Sequence, residues 1–136
     1  MLQINHVKKS TWLYLAAILF FFLSFYLLTI PGNDLPQVSI FDKIPLFDKW
    51  VHIGMFGILT FLFTVANKGR IQHKKSLRIW IALSALAYGI AMEYVQKYCV
   101  ANRSFDVTDI LADGTGCLLA YLFTGWLWRR NKQTSI

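Results

Sequence analysis

Apolar and polar positions alternate along this chain in blocks rather than residue by residue. Residues 11–30 form a first apolar block without a single charge, and residues 50–66, 79–100 and 107–128 form three more. Each block has the length of a helix that crosses about 30 Å of hydrocarbon, roughly 17–25 residues. The pattern predicts an all-α polytopic membrane protein, a four-transmembrane-helix bundle. Its connections are an N-terminal segment 1–10, an outer link 31–49, an inner link 67–78, an outer link 101–106 and a tail 129–136. The first block follows Lys8 and Lys9, as the apolar part of a signal peptide would. It is longer than such a segment and no small-residue cleavage site follows before Pro31 and Gly32, so it reads as an uncleaved span.

Composition agrees with that reading. Hydrophobic residues make up 56% of the 136 residues and charged residues 15%, against roughly 45–50% and about 25% in soluble domains. A soluble domain of this size has too much surface for its volume to hide so much apolar material. The net charge of +7 would suit a nucleic-acid binder, but its distribution points elsewhere. Lys8, Lys9, Lys68, Arg70, Lys74, Lys75, Arg78, Arg129, Arg130 and Lys132 all fall on one side of the four spans. The positive-inside rule makes that side cytoplasmic, with both termini inside. The seven acidic residues, against four basic ones, fall on the other side. Nucleic acid is therefore not an expected partner; membrane lipids are. Trp12, Trp50, Trp80, Trp126 and Trp128 stand near span ends, where interfacial aromatic belts form. In the outer link, Ile40, Phe41, Ile44, Leu46 and Phe47 are too apolar for a solvated loop and predict a segment lying in the outer headgroup region.

The chemistry-bearing residues are the polar ones inside the spans, because an ionisable group in hydrocarbon is costly and normally faces the bundle interior. His52, Glu93 and Asp113 stand fifteen positions from Asn67, Arg78 and Trp128 at the inner boundary, about 22 Å up a helix. Three helices thus bring a titratable group to one depth. Asp48 and His52 are four apart and share a helix face, while Asp106, Asp109 and Asp113 follow i, i+3, i+7 spacing. Arg103, between the third and fourth spans, is placed to fork onto these carboxylates. The expected result is a polar funnel open to the outside, built from Asp48, Lys49, His52, Glu93, Gln96, Arg103, Asp106, Asp109 and Asp113. Ala112, Gly116 and Ala120, and likewise Ala85 and Gly89, form small-residue stripes that let helices approach closely.

These residues carry a resemblance. Asp48-Lys49-x-x-His52, Arg70, Glu93-x-x-Gln96 and Arg103-Ser-Phe-Asp106-x-x-Asp109-x-x-Ala112-Asp113-x-x-Gly116 resemble the pattern of the VanZ-like membrane proteins, over about residues 42–125. That family takes its name from a protein linked to resistance to the glycopeptide antibiotic teicoplanin. It usually carries Asn where this chain has Asp113. The resemblance implies a multi-pass protein of the bacterial cell envelope, in the cytoplasmic membrane, and brings no settled mechanism.

Three functional readings remain open on the sequence. In the first, the funnel binds an outer-leaflet lipid, a cell-wall precursor, a glycopeptide-like ligand or a membrane-protein partner. In the second it is an enzyme site, with His52, Glu93 and Asp109 as acid, base or metal-assisting groups and His52 oriented by Asp48. His52, Glu93, Asp109 and Asp113 are then candidate ligands for a divalent metal, the one cofactor the residue types suit. In the third the cluster only fixes helix packing in a larger assembly. Lys49 and Arg103 would bind a phosphate or carboxylate. Lys97 reads as a snorkelling lysine, Arg70 as an inner anchor on lipid phosphates, and Cys99 and Cys117 lie at depths too different for a disulfide.

Overall fold

The computed structural model describes residues 2–34 and 44–133, with side chains over 11–34 and 44–130. Among the described residues the elements are α1 (Leu2–Thr29), α2 (Phe47–Ala66), the short α3 (Lys68–His73), α4 (Ser76–Cys99) and α5 (Val107–Gln133), with a 3-10 turn at Gly32–Asp34. No strand occurs among the described residues. Four of the helices contain stretches long and apolar enough to cross a membrane: Thr11–Thr29, Phe47–Ala66, Ser76–Cys99 and Val107–Arg130. Their outward faces are apolar; Leu19, Phe22, Leu83, Leu118 and Leu122 are all exposed, as expected where lipid is the solvent.

The helices run up and down the bundle. Tyr14, near the start of the first span, donates to Asn67 at the end of α2 (2.7 Å). At the opposite end, Gln96 of α4 donates to the Leu28 carbonyl of α1 (3.0 Å). One end therefore gathers residues 28–34, 44–49 and 96–109, and the other gathers α3 and the last turns of α5. The guanidinium of Arg78 lies 4.2 Å above the Tyr121 ring at this second, basic end. The link 67–78 is more ordered than a simple turn, because α3 folds within it and buries Ile71. The interfacial reading of the 31–49 link falls largely on residues 35–43, outside the described residues; of its apolar set, Ile44 and Leu46 are exposed and Phe47 opens α2.

α2 and α5 share the most extensive interface, with α1 and α4 also packed on α2. The interface is close because Gly116 lets it be: a Cβ there would overlap the Ile53 carbonyl oxygen of α2. Ala112, Gly116 and Ala120 are all buried. Between lipid-bathed helices, such packing replaces the hydrophobic drive that operates in water. Phe56, fully buried, fills the centre against Tyr88 of α4, with ring centroids 5.7 Å apart. The α4–α5 turn closes with Asn102 in the left-handed region (φ 57), which Asn tolerates better than most residues.

Candidate functional site

At the acidic end, three helices contribute polar side chains to one cluster. Its construction starts at the beginning of α5. Asp106 is the residue before the helix, and its Oδ1 accepts from the Thr108 backbone N–H and the Thr108 hydroxyl (2.7 Å each). This is the side-chain N-cap that satisfies an otherwise orphan helical N–H. The backbone N–H of Asp106 in turn donates to Glu93 Oε2 on α4 (2.8 Å). One residue thereby caps α5 and holds the buried carboxylate of α4.

Lys49, in the first turn of α2, is the cation of the cluster. Its Nζ meets Asp48 Oδ2 at 2.9 Å and Asp106 Oδ2 at 2.7 Å, and also pairs with Asp109. The Lys49 ammonium, with support from Thr108, holds the Asp106 carboxyl down to about 2 from its usual 3.8. Deeper in, His52 Nδ1 lies 2.8 Å from Asp113 Oδ1, and its Nε2 lies 3.9 Å from Asp109 Oδ2. Side-chain exposure falls along this path, from 64% at Asp48 and 41% at Asp106 through 15% at Lys49 and 12% at Asp109 to 7% at His52 and 1% at Asp113. The polar residues thus descend from an exposed mouth into the bundle. Gly89 makes room at the bottom, because a Cβ there would overlap the Asp113 carboxylate.

His52, Glu93 and Asp109 each present a ligand atom within 4.8 Å of the others, and all three residues are buried. The structure brings these three together with Asp48, Lys49, Asp106 and Asp113. It does not bring in the other two residues of the expected funnel. Arg103 makes no ion pair among the described residues; its Nε donates to the Ile30 carbonyl (3.3 Å). The close approach of chain at Gly32, where a Cβ would overlap the Asn102 carbonyl, puts that backbone oxygen within reach. Gln96 is fully buried but spends its amide on Leu28. Both residues tie α1 to the α4–α5 hairpin.

One further expectation is corrected. Asp48 does not orient His52: Asp48 sits at the exposed mouth and is held by Lys49, and the partner of His52 is Asp113 across the α2–α5 interface. Asp113 pairs with His52 Nδ1 at 2.8 Å, and the three residues whose ligand atoms converge are His52, Glu93 and Asp109. The Asp113–His52 pair escaped the sequence reading because the residues are 61 positions apart and only helix rotation decides whether they face each other. The shared burial depth was the available signal. Lys97 lies over the Tyr98 ring, its ammonium 5.1 Å from the centroid. Cys99 is exposed, Cys117 is buried, and both are free. Two grooves lie elsewhere, on apolar flanks; one of about 300 Å³ between α1, α2 and α4 is lined by residues such as Phe21, Phe63 and Trp80.

A family model described as VanZ/LLP1 matches residues 5–128. A fission yeast protein, the uncharacterised protein C11E3.10 of Schizosaccharomyces pombe, is 30% identical over 90 residues, which is 66% of this chain. The chain spans about half, 54%, of the length of that curated relative. No solved structure matches.

Proposed function

The chain belongs to the VanZ/LLP1 family, and from that premise we propose that its acidic cluster is a ligand site. In this reading the protein sits in a bacterial cytoplasmic membrane with both termini inside. The cluster opens to the outer face and binds an outer-leaflet lipid, a cell-wall precursor or a glycopeptide-like ligand. The observation that carries the reading is the graded descent of exposure from Asp48 to Asp113. A cluster serving only to lock helices together would have no need of a polar path to the surface, and intramembrane charges are costly to keep. Five carboxylates (Asp48, Glu93, Asp106, Asp109, Asp113) stand against one ammonium, Lys49. The site therefore suits an amine, a hydroxyl-rich group or a bound cation better than a bare phosphate. Lys49 is already committed to three carboxylates, and Arg103 to a backbone carbonyl.

A second reading, catalysis on such a ligand, is favoured by the convergence of His52, Glu93 and Asp109. Buried within the helix bundle, His52 backed by Asp113 has the arrangement of an acid–base group with an orienting partner. Both readings are tested by His52→Ala, Glu93→Gln and Asp109→Asn, each assayed for membrane abundance and for an envelope phenotype. Normal abundance with a lost phenotype is the expected result. Disappearance of all three variants from the membrane would make the cluster purely structural. Mass-shifted products on incubation of the wild type with envelope lipid extract would select catalysis over binding.

A further inference from the structure

Within the cluster, one ring nitrogen of a buried histidine makes no hydrogen bond among the described residues. His52 is 6% exposed, and its Nδ1 is engaged by Asp113 at 2.8 Å. If the shared proton sits on Nδ1, as donation to a carboxylate requires, Nε2 is left with a lone pair. Nε2 makes no hydrogen bond among the described residues, and the nearest carboxylate oxygen, on Asp109, is 3.9 Å away. That distance is too long for a hydrogen bond. It suits two atoms that share a third between them. Glu93, 1% exposed, has a carboxylate oxygen within 4.8 Å of ligand atoms of His52 and Asp109, and the Asp106 N–H donates to its Oε2.

We propose that His52 Nε2, Glu93 and Asp109 bind a divalent transition-metal ion, zinc being the ion whose coordination habits fit best, with Asp113 holding the imidazole in its ligating tautomer. One imidazole and two carboxylates form a borderline nitrogen–oxygen set, which an imidazole tilts away from magnesium and calcium. Bonds of about 2.1 Å in tetrahedral geometry put ligand atoms about 3.4 Å apart. Ligand atoms of the three residues lie within 4.8 Å of one another, so side-chain shifts of about an ångström close the set. A carboxylate hydrogen-bonded to the far nitrogen of a metal-binding histidine is the usual outer-shell partner. Three protein ligands leave a coordination position for an oxygen of the bound molecule. The ion also offsets part of the carboxylate excess, and it gives the site the electropositive centre that Lys49 does not supply. The inference deepens the ligand-site reading and rests on it for any functional meaning, but metal binding is measurable without it.

The test uses the full chain in detergent, purified through a tag free of histidine, dialysed against Zn²⁺ and analysed for bound metal. About one zinc per chain is expected, in a single site. Retained zinc falls at least tenfold in His52→Ala and Asp109→Asn, and affinity falls about 10–100-fold in Asp113→Asn. His73→Ala and Asp34→Asn, at exposed positions outside the cluster, retain the wild-type amount. Zinc-edge X-ray absorption on the wild type is independent of how the variants fold, and its expected shell is one imidazole nitrogen among oxygens. No zinc on the wild type, a sulfur-containing shell, or equal zinc on a folded His52→Ala variant overturns the proposal. Wild type that takes no zinc but loses its lipid or precursor ligand in the variants sinks the metal and leaves the ligand site standing. A chain that binds zinc through these residues and no such ligand keeps the metal and sinks the ligand-site reading.

Discussion

Asp106 joins three helices through separate atoms: its carboxylate caps α5 and pairs with Lys49 of α2, and its backbone N–H holds Glu93 of α4. The depressed pKa of about 2 has a consequence with a definite sign. A carboxyl whose folded pKa lies below its unfolded value contributes stability that is complete above the unfolded pKa and is lost as pH falls through the folded one. The contribution is therefore present above about pH 4 and fades between about pH 4 and pH 2. Thermal melts in detergent should show wild type above Asp106→Asn at pH 5, with the gap narrowing towards pH 2. A gap that stays constant with pH would mean that Lys49 and Thr108 do not act on the carboxylate charge. At this scale the sequence was partly legible. The residue types of the cluster and their shared depth could be read. The committed partners could not, because adjacent candidates compete: Lys49, next to Asp48, takes the carboxylate that i, i+4 spacing assigned to His52.

At the scale of elements, the spans were legible because hydrocarbon thickness dictates their length and backbone hydrogen bonding dictates helix. Their ends were less so. α1 already runs from Leu2, through Lys8 and Lys9, and α2 opens at Phe47, which brings Asp48 and Lys49 into its first turn. Charge marks where a helix leaves lipid, not where it ends. The small-residue stripes did mark contact. Gly116 is closed by the Ile53 carbonyl, whereas a Cβ on Gly54, on the same α2, meets nothing within 4 Å. Gly116→Val should therefore destabilise the bundle by about 2 kcal/mol or more through overpacking. Gly54→Ala should be neutral or stabilising by about 0.5 kcal/mol, from helix propensity alone. Thermal unfolding of the two variants in one detergent checks the pair; equal effects would contradict the close α2–α5 contact. Arg103 carries the complementary lesson. A guanidinium beside acids looked like their partner, but the chain reversal at Gly32 presents a nearer carbonyl, on Ile30.

For the whole molecule, the polarity is the organising feature. The end holding α3 and the last turn of the fourth span carries Lys68, Arg70, Lys74, Lys75, Arg78, Arg129 and Arg130. The opposite end carries the acidic cluster, reached from its rim through residues of decreasing exposure. α1 contributes no charged group to that cluster and is tied on by backbone carbonyls, through Gln96 and Arg103, so it acts as a scaffold for the other three spans. The central claim is that the acidic end is a ligand site rather than a packing device. Native mass spectrometry of the full chain, released gently from bacterial membranes, tests it most directly, with Asp109→Asn compared at equal membrane abundance. The account predicts an envelope lipid or cell-wall precursor retained by the wild type and reduced at least tenfold in the variant. Equal recovery from both, or no retained molecule from either, would contradict it.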